Sequence, residues 1–141
     1  MTQSNPLRVG LIGAGGRWGP RAHVPALKGV SEAELYAVCT AHADTAQAAA
    51  DKFGVSCAYG NDKALGADRE VEAVVVAVRV PAHYELSKNA IEAGKHVFCE
   101  WPLGANTKRP KNSRRWRARK TCAPWSACSV VRRPLICTCA S

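Results

Sequence analysis

Between Leu7 and Cys99, five short apolar runs alternate with helix-forming segments, and that alternation leaves few folds open to the chain. Leu7–Ile12 reads as a buried strand that runs into the glycine cluster Gly13-Ala14-Gly15-Gly16. Trp18 to Lys28 has helical composition, with Pro20 placed for the first turn and Pro25 placed to bend or end the helix. Glu34–Cys39 is expected as a second strand, Asp44–Phe53 as a helix closed by Gly54, and Val55–Ala58 as a short third strand. A brief helical piece is expected near Asp62–Leu65. Glu72–Val78 is a nearly continuous Val/Ala run, the composition of a strand covered on both faces. Pro81–Ala93 is a further helix closed by Gly94, and His96–Cys99 the last strand. Strand and helix alternating through short links imply right-handed crossovers and an α/β, doubly wound parallel sheet.

The chain changes character at Lys108. Every Asp and Glu lies at or before Glu100, whereas Arg109–Ser141 holds nine Lys and Arg and no acid, so it carries the whole net charge of +9. It also holds Cys122, Cys128, Cys137 and Cys139, and Trp116 and Trp125. Given GC-rich codons and read one base out of register, Arg109–Ser129 can encode A-E-E-L-A-A-L-A-R-A-K-D-V-R-T-M-V-G-L-Q. That string begins as an amphipathic helix and closes on a short apolar strand. The expectation is a frameshift between about Asn106 and Arg109, which makes the basic tail non-native. The expected organisation is a disordered stretch over 1–6, a domain over 7–108, and no domain over 109–141.

Two other readings of the tail stay open beside this one. Arg114-Arg115-Trp116-Arg117-Ala118-Arg119-Lys120 has the form of a nucleic-acid patch with an interleaved aromatic. The four cysteines are enough for zinc, but their spacing matches no paired short-loop pattern, so no metal site is expected. The opening Met-Thr-Gln-Ser-Asn-Pro lacks a signal pattern, and no apolar run approaches the roughly 20 residues of a membrane span. A soluble cytoplasmic protein is therefore expected, with reduced thiols and with Cys39, Cys57 and Cys99 as buried strand residues.

Chemistry concentrates at the ends of the runs. A glycine cluster between a strand and a helix lets the backbone approach a pyrophosphate, while the helix N-terminus offers free N–H groups. Gly13, Gly15, Gly16, Arg17 and Trp18 are thus candidate nucleotide-binding residues; the alternative is a tight turn with no ligand. Trp18 occupies the place of a third glycine, and Gly19 comes one residue late. After the second strand the residues are Thr40-Ala41-His42, without the carboxylate that usually takes a ribose 2′-hydroxyl. Thr40 is a candidate cofactor contact, NADP and NAD both remain open, and Arg17 is either a contact to a 2′-phosphate or an ordinary solvated arginine. His83, at the start of a helix, is either a ligand contact or a histidine satisfied locally. His23 and His96 are expected to be structural and His42 exposed.

Gly10-Leu11-Ile12-Gly13-Ala14-Gly15, Pro81-x-His83 and Ala90–Gly104, with Gly-Lys-His-Val leading into Glu100-Trp101-Pro102, resemble the N-terminal domain of the Gfo/Idh/MocA oxidoreductases. The resemblance covers roughly Leu7 to Thr107. It implies a Rossmann-type domain that binds NAD(P), a sugar-like or polyol substrate, and a second α/β domain bearing the substrate pocket and the usual oligomer interface. A helix and a strand like those in the shifted register are what the family places next. The family's Glu-Lys-Pro lysine, which assists catalysis beside the nicotinamide, is by position Trp101, and an indole is no useful acid or base. Glu-Trp-Pro looks most like a sub-branch with galactose-type dehydrogenases and the galactose-regulon repressor. The resemblance further implies that Pro102 holds the turn over the nicotinamide and that Glu100 orients backbone or ribose; the plain alternative for Glu100 is a strand-end carboxylate in solvent. As written, the chain is expected to be a truncated fragment without turnover and with at best weak dinucleotide affinity. The competing reading is a non-catalytic dinucleotide sensor.

Overall fold

The computed structural model describes residues 5–105, so the readings made for the tail from Arg109 fall outside it. Five parallel strands form one sheet in the order β3-β2-β1-β4-β5. They are β1 (Leu7–Ile12), β2 (Ala33–Cys39), β3 (Cys57–Tyr59), β4 (Ala73–Val76) and β5 (His96–Cys99). The helices are α1 (Val24–Lys28), α2 (Ala43–Phe53), α3 (Asp62–Ala67) and α4 (Val80–Glu92). The strand order reverses at β1, whose two neighbours are β2 and β4. Such a reversal leaves a crevice at the C-terminal ends of the strands, where open α/β sheets receive ligands.

Alternation along each strand builds a core on both faces. Val74 and Val76 pack with Ile12, Cys39, Leu65, Ile91 and Val97 on one side. Val75 packs with Leu11, Val24, Val38, Ala49 and Ala50 on the other. The alanines of α2 are therefore a packing face, letting the helix lie close to the sheet. Gly10 has a similar purpose: a Cβ there would stand 2.9 Å from Leu65 Cδ1, so its absence admits α3 to the sheet. Cys39 and Cys99 are buried strand residues as expected, whereas Cys57, also on a strand, is only half-buried.

Two expectations need adjustment. The first helix opens as a π-helical turn, Gly19–His23, before α1. Pro25 has no N–H to donate to the carbonyl four residues back, and Val24 N–H reaches instead to Gly19 O, five residues back. The third strand starts at Cys57 rather than Val55. Gly54 adopts the left-handed conformation (φ 64°) that closes α2, and Val55 N–H donates to Ala50 O as part of the same cap. Its donor is spent on the helix.

Candidate functional site

The glycine turn lies at the reversal. Gly13 N–H donates to Cys39 O at the end of β2 (2.9 Å), and Gly16 N–H returns to Gly13 O (2.9 Å). Gly13 has φ 102°, and a Cβ there would fall 2.2 Å from Ala77 O, just past β4. The turn is thus wedged between the ends of β2 and β4 and requires glycine. The late Gly19 fills the place of the missing third glycine: a Cβ on it would meet Gly13 O at 2.5 Å. Trp18 is left outside this contact, 56% exposed, with Arg17 over its ring at 5.8 Å.

Gly15, Gly16 and Arg17 are exposed at the crevice. A Cβ on Gly15 would meet only Thr40 Cγ2, at an ordinary 3.6 Å, so open space faces that backbone. This cradle fits the pyrophosphate of a dinucleotide, which needs close approach to bare backbone. Thr40 stands beside it at the end of β2, its hydroxyl 2.6 Å from that of Thr45, with the His42 carbonyl accepting from these hydroxyls. No carboxylate stands there. Between this turn and α2 a cavity of about 550 Å³ is lined by Arg17, Arg21, Thr45 and Lys52 among others. Arg21, Thr45 and Lys52 went unnoticed in the sequence, where a basic or hydroxyl residue on a helix has no mark that separates it from a solvated one.

Glu100, Trp101 and Pro102 follow β5 on the opposite side of the reversal. Glu100 is not a free strand-end carboxylate: its Oε1 lies 2.9 Å from His23 Nε2. His23 also stands edge-on to Phe98, 5.8 Å between ring centroids. Trp101 is 79% exposed, and its bond to Pro102 is cis. His83 does not contact the open crevice. It is 1% exposed, with Nδ1 2.9 Å from Pro102 O and Nε2 2.8 Å from Val78 O, so it is the locally satisfied histidine. His42 is exposed before α2, as expected.

Beneath the crevice the chemistry is quiet. Burial pushes the Cys39 thiol up to about 12, and the Tyr59 hydroxyl is raised by burial and by donating to Asp68 Oδ2 at 2.7 Å. Neither is placed as a nucleophile. Among the described residues no helix is long and apolar enough to cross a membrane.

A family model described as an oxidoreductase family with an NAD-binding Rossmann fold, GFO_IDH_MocA, matches residues 7–122. A myo-inositol 2-dehydrogenase of Thermotoga maritima is 39% identical over 100 residues, covering 71% of this chain and 29% of the relative. Among solved structures, an NAD binding oxidoreductase from Klebsiella pneumoniae matches with a TM-score of 0.76 at 31% identity, over 82% of this chain and 32% of that one. A 3-ketoreductase from Actinomadura kijaniata, in complex with NADP and TDP-benzene, matches with a TM-score of 0.74 at 30% identity, over 82% of this chain and 35% of that one. The chain thus spans about a third of the length of the proteins it matches.

Proposed function

From the premise that the chain belongs to the Gfo/Idh/MocA oxidoreductase family, we propose that it is the dinucleotide-binding part of an enzyme acting on a sugar-like alcohol or ketone. Its homologues include sugar and polyol dehydrogenases and a ketoreductase, which supports that substrate class. The observation that carries the reading is the bare Gly15 backbone beside Thr40, at the point where strand order reverses. A bound nicotinamide cofactor supplies the hydride chemistry. The chain's own residues hold it: the glycine turn receives the pyrophosphate, Thr40 and Arg17 flank the adenosine ribose, and the end of β5 faces the other half. NADP and NAD both fit this description. The lack of a carboxylate at Thr40-Ala41-His42, with Arg17 nearby, leaves room for a 2′-phosphate.

Trp101 favours a second reading, a sensor that binds dinucleotide without turnover. An indole can cover a ring or pack on a sugar face, but it neither gives nor takes a proton at neutral pH. The two readings separate in one experiment. The full chain is titrated with NADP+ and NAD+, then supplied with a panel of sugars and polyols while reduced nicotinamide is followed by its absorbance. Turnover establishes the enzyme, binding without reduction favours the sensor, and absence of binding to either dinucleotide sinks both.

We further infer that the chain after about residue 107 is read in a shifted register. The support is the loss of every acid beyond Glu100 and the helix-and-strand pattern in the alternate frame. Against it, the family match runs on to Cys122. Sequencing gene and transcript across the Glu100–Ser141 codons decides, and an in-frame read in both removes the idea.

A further inference from the structure

Glu100, Trp101 and Pro102 are consecutive, yet only the middle one points into the open. Glu100 is held by His23, which the π-helical turn brings across 77 positions of sequence. Pro102 is held by His83, which α4 brings from the other side. His23 belongs to the first helical turn after β1, and His83 to the helix after β4, so the grips come from the segments that follow two neighbouring strands, β1 and β4. Between them the Trp101 indole is 79% exposed. We propose that His23 and His83 are positioning residues, forming a frame that fixes the Trp101 indole at the β5 side of the crevice as a platform for the nicotinamide half of the dinucleotide.

Position assigns that half. With the pyrophosphate on the glycine turn and the adenosine ribose toward β2, the remaining ring extends toward β4 and β5, where Trp101 stands. A flat, polarisable indole suits a flat ring. The frame also makes a demand on protons. Carbonyl oxygens only accept, so His83 holds Pro102 only when Nδ1 carries its proton. A ring with its single proton on Nε2 holds Val78 and releases Pro102. The frame therefore assigns a proton to Nδ1 of a ring that is almost wholly enclosed.

This inference rests on the reading of the crevice as a dinucleotide site, and its test keeps the two apart. The full chain is labelled with 5-fluorotryptophan, and the Trp101 fluorine resonance is identified as the one lost in Trp101→Phe. The asparagine amide nitrogen of His83→Asn falls near Nδ1 and keeps the bond to Pro102. The glutamine amide nitrogen of His83→Gln falls near Nε2 and keeps only the bond to Val78. The frame predicts a parental Trp101 resonance and parental NADP+ affinity in His83→Asn, with a shifted, broadened resonance and about tenfold weaker NADP+ binding in His83→Gln. Equal behaviour of the two variants would mean that the ring merely fills space, and would overturn the proposal. If neither variant folds, His23 supplies the decision at a more exposed site. His23→Gln, which still donates to Glu100, should keep the Trp101 resonance and His23→Leu should move it; equal results for that pair overturn the proposal as well. If the parent chain fails to bind NADP+, the dinucleotide reading falls, while the resonances of the ligand-free chain still report on the frame.

Discussion

Gly13 and Gly15 stand two residues apart and serve different ends. Gly13 has a left-handed backbone and carries its hydrogen where a Cβ would fall 2.2 Å from a carbonyl oxygen, so Gly13→Ala should cost about 2–4 kcal/mol in stability. Gly15 has room, so Gly15→Ala should melt within about 0.5 kcal/mol of the parent yet bind NADP+ about tenfold more weakly, its methyl standing where the proposed site receives the pyrophosphate. Thermal unfolding beside a dinucleotide titration checks both, and a Gly15→Ala chain that binds as the parent does would remove the turn from the site. Cys39, whose carbonyl anchors that turn, gives a pH prediction. Its thiol is raised by burial to about 12 in the fold, against an ordinary value of about 8.5. A raised acid group contributes constantly below the unfolded value and loses that contribution as pH rises toward the folded one. Stability should be flat with respect to this thiol up to about pH 8.5, then fall by up to about 1.4 kcal/mol per pH unit until about 12. Cys39→Ala should flatten that slope in urea melts taken across the window. The raised Tyr59 adds a loss of the same sign that begins near its own ordinary value of about 10, inside this window, and that remains in Cys39→Ala. The glycine turn was legible in the sequence because it has a local context, strand before and helix after. The His23–Glu100 bond spans 77 positions and leaves no local trace, and the sequence could not decide between the two readings of His83 because Pro102, 19 residues away, supplies its partner.

Element by element, the architecture followed from local signals that packing reinforced. Valine runs became strands buried on both faces, and Gly54 and Gly94 took the positive φ their places after helices suggested. What local reasoning missed were exchanges between neighbours. The Val55 N–H went to the α2 cap instead of a strand, and Pro25 left a gap in the ladder that a π-turn accommodates. The end of α2 offers a clean test, because no atom lies within 4 Å of a Cβ built on Gly54 and only backbone strain opposes one. Gly54→Ala should lower stability by about 1 kcal/mol, with Gly54→Asn losing less because asparagine tolerates the left-handed region. Dinucleotide affinity should stay at the parental value in both, since Thr40 and Thr45, the hydroxyls beside the glycine turn, lie at the other end of α2. Unfolding in urea reads the first effect and titration the second; a loss of affinity would show that strain at the cap travels along the helix to Thr45.

At the scale of the molecule, two chemistries lie in two stretches of chain. Both sides of the crevice, the glycine turn with Thr40 and the segment after β5, lie within residues 5–105, where acids and bases are interspersed. The nine excess cations lie in residues 109–141. A ligand held by backbone amides and a fixed turn should be indifferent to those cations beyond a general field that salt screens over about 8 Å at physiological ionic strength. A polyanion would be held by them alone, with an affinity that falls with salt by about 0.9 log units per log unit for each duplex phosphate contacted. Removal of residues 109–141 should therefore leave NADP+ affinity within about twofold of the parent at physiological salt, and should abolish whatever salt-sensitive binding to duplex DNA the full chain shows. The paired titrations, each run at two salt concentrations, distinguish the assignments. A shortened chain that keeps the dinucleotide places the family's binding function wholly before the break in composition. One that folds, as judged by circular dichroism, but loses the dinucleotide would mean that the basic stretch completes the crevice. That result would contradict a shifted register, because a segment never selected to fold would have no means of completing a site.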